Sequence, residues 1–339
     1  MNINNKPTIK EVAADANVSM STVSRYINGY KLIHPSTALR IENSIRKLNY
    51  IIKPSKIQKE TKIKTIFLIV PDIGNPFYSQ IAKTVQHISQ QNGYITIIYD
   101  SQESKNESEA IDMAIHANVI GILLASIDIK PNIIRKVVES NIPVVGLNAY
   151  NAIPFDSVHV HGDEGTYLST KHLIALGHKH IGFAGGSSTS IIGISRFEGF
   201  SKAMKESGLM IDEKQVIQLG FTQTDGYEAG IYFSKLKNIP SAICCANDLI
   251  ALGLLSALQE KNIRIPEDIS VTGMDDVPYA KISNPSLTTV TNNSESFGRE
   301  AMRMLLDNIN GIHYGKPRDI AIFHELIIRN SVRSNYDRE

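Results

Sequence analysis

Residues 8–29 read TIKEVAADANVSMSTVSRYING, and their spacing decides what kind of module opens the chain. Thr8 and Glu11 fit a capping box, in which the hydroxyl accepts from the first free backbone N–H groups and the carboxylate reaches back to the cap. Ile9, Val12, Ala13 and Ala16 keep helical spacing, so a first helix is expected over residues 8–15. Asn17 stands where the chain must reverse, and Asn tolerates the left-handed conformation better than most residues; Ser19 can cap the next helix. That second helix is predicted from Met20 to Asn28, with Val23 and Ile27 inward and Met20, Ser21, Ser24 and Arg25 on the opposite, exposed side. Pro35 opens a third helix after His34, with Ile41, Ile45 and Leu48 as its inner face. Two helices joined by a tight turn and braced by a third are helix-turn-helix architecture.

Charge divides the chain at the same place. Residues 1–62 hold 11 Lys or Arg against 4 Asp or Glu, and the remainder holds 24 against 30, beneath a formal net charge of +1. A basic module on a mildly acidic body points to a polyanionic partner for the module alone, although on charge alone a solvated basic face reads equally well. Between the two lies IIKPSKIQKETK, residues 51–62, a linker with no apolar period in which Lys53, Lys56, Lys59 and Lys62 recur every third position.

The composition, 42% hydrophobic and 20% charged over 339 residues, is that of a globular protein of two or three domains and excludes the disordered and disulfide-rich classes. No apolar run is long enough to span a bilayer, and the start lacks the apolar stretch of a signal peptide, so a cytoplasmic protein with no membrane partner is expected. Cys244 and Cys245 are neighbours inside an apolar run and read as buried structural thiols.

From Thr65 onward, apolar strand-like runs alternate with amphipathic helices. TIFLIVP precedes a helix over residues 78–91, YITIIYD one over 108–117, and VIGILLA and IPVVGLN come next; HIGFAGG precedes a helix over 196–207, SAICCAND one over 249–260, and ISVTGMDD closes the series. Alternating βα units imply parallel sheets covered by helices on both faces. The stretch is too long for one ordinary sheet, so two doubly wound subdomains are expected. The chain should pass to the second near residues 161–163, return near Thr291 and cross again near Phe323. The expected division is a headpiece over 1–50, a hinge linker over 51–62, an N-terminal core subdomain over 63–162 with 292–321, and a C-terminal one over 163–291 with 322–335. Polar residues, with one aromatic among them, gather just after strands: Asp72, Asn75 and Phe77, then Asn148, then Asn247 and Asp248, then Asp275 and Asp276. Ligands of such sheets bind beyond the carboxyl ends of the strands, which implies a small polar ligand in a cleft between the subdomains. Taken singly, Asn247 or Asp248 reads equally well as a helix cap.

These residues together resemble the LacI/GalR family of bacterial transcription regulators. The likeness is carried by residues 8–29, by LNY at 48–50, and by LIVPDIGNPFY at 68–78, HLIALGH at 172–178, RFEGF at 196–200, CANDLIALG at 245–253 and PSLTTV at 285–290. It implies an all-α headpiece followed by a periplasmic-binding-protein-like α/β core of two parallel-sheet subdomains. It also implies a homodimeric repressor on a near-palindromic double-stranded operator, and a small effector, commonly a sugar or nucleobase. Carried over by position, Met20, Ser21 and Arg25 resemble the residues that face base edges. Arg25 suits the role because its fork pairs bidentately with guanine, with a phosphate clamp as the alternative. The expected DNA face adds Thr8, Ser19, Thr22, Ser24 and Asn28, with Lys53, Lys56 and Ile57 from the linker. The expected effector set is Asn75, Phe77, Asn148, His161, Arg196, Phe221, Asn247 and Asp275. An aromatic face beside Asp, Asn and Arg suits a sugar. Arg196 reads alternatively as an interdomain ion-pair partner, and His161 as a hinge histidine.

Three positions depart from the family. Asn148-Ala149 replaces its Asp-Arg pair and removes a charge from the expected pocket. His161-Gly162 replaces Asp-Asn in many members, and the Ala-Arg-x-Leu of the hinge helix is missing, leaving Ile57 as a substitute wedge. A sugar-binding transport protein would share the body but would need export. An enzyme would need a catalytic constellation, and none of GxSxG, HExxH, a Walker loop or GxGxxG occurs. No cofactor or metal is expected, and His178 and His180 read as a surface loop.

Overall fold

Thr8 closes its capping box with Glu11, which starts α1 (Ile9–Asp15); α2 (Met20–Ile27) and α3 (Pro35–Lys47) follow. The reversal between α1 and α2 is made by Asn17 at φ 50°, the left-handed conformation that its short amide tolerates. Val12, Val23 and Ile41 are wholly buried where the three helices meet. Asp15 fastens α1 to α3 by accepting from Lys47 Nζ at 2.6 Å and Ser44 Oγ at 2.8 Å.

The computed structural model describes residues 7–27, 33–50, 64–102, 105–126, 129–148, 153–313 and 315–336. The chain divides into two units, Met1–Ile63 and Lys64–Glu339. The larger unit contains two sheets. The first is built from β1 (Thr65–Val70), β2 (Ile95–Asp100), β3 (Gly121–Ala125), β4 (Val144–Leu147), β5 (Asp156–Val160) and, from far along the chain, β11 (Asp319–Ile322). Its order is β11-β5-β4-β3-β1-β2 and every pairing is parallel. It carries α4 (Pro76–Gln91), α5 (Glu107–His116), α6 (Pro131–Ser140) and α12 (Ser294–Ile309). Burial alone would raise the Asp156 pKa, but two side-chain bonds and a backbone bond from Arg318 hold it below the ordinary value. That pair fastens the late-arriving β11 to β5.

The second sheet is built from β6 (Ile181–Gly185), β7 (Val216–Gln218), β8 (Ala242–Cys245), β9 (Ser270–Asp275), β10 (Thr288–Thr291) and β12 (Glu325–Ile327), in the order β12-β10-β9-β8-β6-β7. Its helices are α7 (Gly162–Ala175), α8 (Ile191–Glu206), α9 (Gln223–Ser234), α10 (Asp248–Glu260) and α11 (Pro278–Ile282). β12 runs antiparallel to β10, so this sheet is mixed where all-parallel pairing was expected. An antiparallel edge strand on a parallel sheet is a common way to end a doubly wound layer. The chain passes between lobes after Val160, after Thr291 and at residues 323–324, between β11 and β12.

Two local expectations are corrected. α8 begins at Ile191, because Ser190 accepts from the Gly193 N–H and caps it; Arg196 therefore sits in its second turn, not at its start. His178 is 2% exposed, bonded to Ser241 Oγ and to the Arg333 carbonyl, so it anchors the C-terminal segment and is no surface residue. Cys244 and Cys245 are free and wholly buried.

Candidate functional site

In the headpiece, Met20 is half exposed, and Thr8, Ser19, Ser21 and Arg25 are exposed. Ser19 Oγ lies 2.7 Å from both Ser21 Oγ and Thr22 Oγ1, and the Thr22 N–H donates to it at 3.1 Å. The capping hydroxyl thus orients the first turn of α2, while Thr22 and Ser24 lie partly buried at the flank of the exposed row. Asn28, Lys53, Lys56, Ile57 and Ala149 lie outside the described residues.

In the core, both sheets reverse their strand order beside the first strand, between β1 and β3 and between β6 and β8. Such switch points open a crevice at the strand ends. In the second lobe, Arg196 fills that position. It is 8% exposed; its Nη1 donates to the Ala246 carbonyl beyond β8 at 2.6 Å, and its Nη2 to Asp275 Oδ1 at the end of β9 at 3.4 Å. Its guanidinium carbon lies 5.7 Å from the centre of the Phe221 ring, a cation–π contact. One side chain therefore gathers the ends of β7, β8 and β9. Gly186 makes room for the aromatic wall, since a Cβ there would fall 1.9 Å from Phe221 Cζ.

Asp275 is buried and has φ 115°. Burial pushes its carboxyl up to about 6, with the Arg196 guanidinium pulling the other way. Asn292, just after β10, donates its amide to Asp275 Oδ1 at 2.6 Å. Sequence reading did not single out Asn292. Its Oδ1 and the Nε of Arg196 are buried without a hydrogen-bond partner among the described residues. Behind them, burial and the nearby Asp275 charge raise the Asp248 pKa well above the ordinary value. Its carboxyl accepts from the Val277 N–H and the Thr289 hydroxyl.

The other expected effector residues are dispersed. Phe77 is 5% exposed and packs edge-on against Tyr78 and Phe297 in the first lobe's core. Asn75 Oδ1 caps α4 through the Phe77 N–H. Asn247 caps α10 through the Ile250 N–H and holds the Phe221 carbonyl with its amide. Asn148, at φ 58°, accepts from the Val160 N–H and so ties the end of β4 to the end of β5. His161 is exposed and lines a separate groove of about 660 Å³ with His159, Asp163, Glu198 and Asp319. Arg196, Phe221 and Asp275 do not line that groove.

A helix-turn-helix headpiece ahead of a two-lobed α/β core defines a DNA-binding regulator of transcription. Residues 8–62 match the model for bacterial regulatory proteins of the lacI family, and residues 170–332 match a periplasmic binding protein-like domain. The chain is 34% identical over 334 residues to the HTH-type transcriptional repressor PurR of Haemophilus influenzae, covering 96% of this chain and 99% of that one. It is also 34% identical over 340 residues to PurR of Pasteurella multocida. Among solved structures it resembles a transcriptional regulator CelR–cellobiose complex at 27% identity and a TM-score of 0.71, covering 96% of this chain and 99% of that one. A LacI family regulator from Enterococcus faecalis with bound ribose matches over 80% of this chain and 99% of its own, at 27% identity and a TM-score of 0.71. The lac repressor dimer bound to operator, 23% identical with a TM-score of 0.71 over 97% of this chain, shows the shared fold. The chain belongs to the lacI family. It is a DNA-binding transcriptional repressor and not an enzyme, and the headpiece sets it apart from a transport solute-binding protein.

Proposed function

We propose that the chain represses from a near-palindromic operator as a homodimer in the cytoplasm, and that a small hydroxyl-bearing ring, a sugar or sugar derivative, controls its grip. The observation that carries the effector class is the arrangement around Asp275. An acceptor, Asn292 Oδ1, and a donor, Arg196 Nε, lie unpaired among the described residues beside the acid, near the aromatic ring of Phe221. Hydroxyl groups both donate and accept, and one apolar ring face stacks on one aromatic wall. The cellobiose and ribose held by two structural relatives at 27% identity support the same class. On the DNA side, Met20, Ser21 and Arg25 read base edges while Thr8, Ser19, Thr22 and Ser24 hold phosphates or set the register. Dimerisation is supported by β2, an edge strand that leaves Ile95, Ile97 and Ile98 40–51% exposed, an apolar edge of the kind proteins cover.

Thermal-shift screening of the full chain against sugars, sugar phosphates and nucleobases tests this reading. A ligand at about 100 times its dissociation constant adds about 2.7 kcal/mol to stability. A sugar should raise the core transition in wild type and not in Asp275→Ala. Stabilisation by a nucleobase in place of any sugar would overturn the effector class.

A further inference from the structure

Two of the three passages between lobes are bound to each other, and the remaining one is bound to the acid of the site, through two residues that the sequence did not mark. At the third passage, the His324 ring lies between two carbonyl oxygens. Nε2 is 2.7 Å from the carbonyl of His161, where the chain first crosses, and Nδ1 is 3.4 Å from that of Thr291, where it crosses back. Both partners are acceptors only, and a neutral imidazole has one N–H, so the short contact is the bond and the ring is the Nε2–H tautomer. Burial lowers the His324 pKa despite those carbonyls, with Glu164 of α7 favouring the charged ring and Arg196 of α8 opposing it. The neutral form is therefore the resting one. One residue beyond Thr291, Asn292 carries the second crossing onto Asp275 Oδ1.

We infer that His324 and Asn292 are positioning residues for the effector response. His324 joins the third crossing to the first, Asn292 joins the second crossing to Asp275, and together they set the angle between the lobes. Hinges are a few residues at element ends that absorb the backbone change on closure, and here a side chain links the first and third crossings while another ties the second to Asp275. A group that binds Asp275 then competes for or reorients the Asn292 amide, and the crossing moves with it. The inference rests on the proposed effector site for its purpose, but the resting lobe angle it concerns needs no effector.

The test is a spin-label distance measurement on the full chain, unliganded and at neutral pH, between Ile73→Cys and Thr224→Cys. These are exposed positions just beyond β1 and at the start of α9. Cys244 and Cys245 are buried, with the Cys244 thiol pushed up to about 11, so the labels go to the introduced thiols. His324→Ala and Asn292→Ala should each shift or broaden the distance distribution. His324→Gln, whose amide reaches the Nε2 position, should keep the parent distribution, whereas His324→Asn, which reaches only the Nδ1 position, should behave like Ala. Folding is checked by circular dichroism, and if either Ala variant fails to fold, the Gln and Asn pair carries the comparison alone. Distributions that superimpose in all variants, or Gln and Asn that behave alike, would overturn the inference. Because no effector is present, that failure stays separate from a wrong effector class, which the ligand screen alone reports.

Discussion

The Asn292 side-chain amide donates to Asp275 Oδ1 across 2.6 Å, so the acid of the second lobe is held by the residue at which the chain leaves that lobe. Asp275 is therefore bonded both to Arg196 and to the residue at the crossing. An acid kept in this buried position has a consequence for stability that can be read without any ligand.

Asp275 is protonated in folded and unfolded chains alike below its ordinary value of 3.8, and ionised in both above about 6. Its folded value is the higher one, so its contribution to stability is full in acid and is lost as pH rises through that window, by roughly 3 kcal/mol. Relative to Asp275→Asn, which does not titrate, wild-type stability should fall by that amount between about pH 4 and pH 6 and run parallel above. Urea melts across the window check it; a constant difference would mean that the acid is ionised throughout.

Arg25 is exposed on α2 beside Ser21. Replacing it with Ala should cost about 1 to 3 kcal/mol on the preferred operator and blunt discrimination between sites. Gel-shift titrations against operator and random duplexes measure both quantities. Equal weakening on the two would make Arg25 a phosphate clamp and not a base reader.

The linker lysines should act on phosphates. Neutralising Lys53 and Lys56 should lower the magnitude of the salt slope of binding by about 0.9 per lost contact, with little change in preference at the central base pairs. Ile57→Ala should be mild by comparison. Loss of operator binding in that variant, together with loss of a central kink in gel phasing, would identify Ile57 as a minor-groove wedge.

Ile97, 41% exposed on the β2 edge, should lie in the dimer contact. Ile97→Lys is expected to weaken self-association by roughly tenfold, about 1.4 kcal/mol, in sedimentation equilibrium. A wild-type chain that is monomeric at micromolar concentration, or a variant that dimerises equally well, would place the contact elsewhere.

The headpiece was legible in the sequence because its determinants are local. Thr8 and Glu11 are three residues apart, and Asn17 needs only its own backbone to make the turn. The alternation of strands and helices in the core was legible for the same reason. What escaped depends on contacts between distant residues: His178 is buried by Ser241 and the Arg333 carbonyl, 63 and 155 residues away, and His324 meets His161 across 163. The position of Phe77 after β1 likewise says nothing of Phe297, against which it packs. The start of α8 was misplaced because Ile191, Ile192 and Ile194 around Gly193 lack helical patterning, and the cap at Ser190 decides the boundary. Arg196 and Asp275 were found as separate residues, but their convergence with Asn292 required the folded chain.

The most direct measurement is the affinity of the full chain for its selected operator, by fluorescence anisotropy, with and without the sugar found by thermal shift, in wild type and in Asp275→Ala. Typical coupling between two such sites is about 1 to 3 kcal/mol, or roughly 5- to 150-fold in affinity. The expected result is a change of that size in wild type and none in Asp275→Ala, with bare operator affinity near normal in both. An undiminished response in Asp275→Ala would contradict control of DNA binding from the Arg196–Asp275 site.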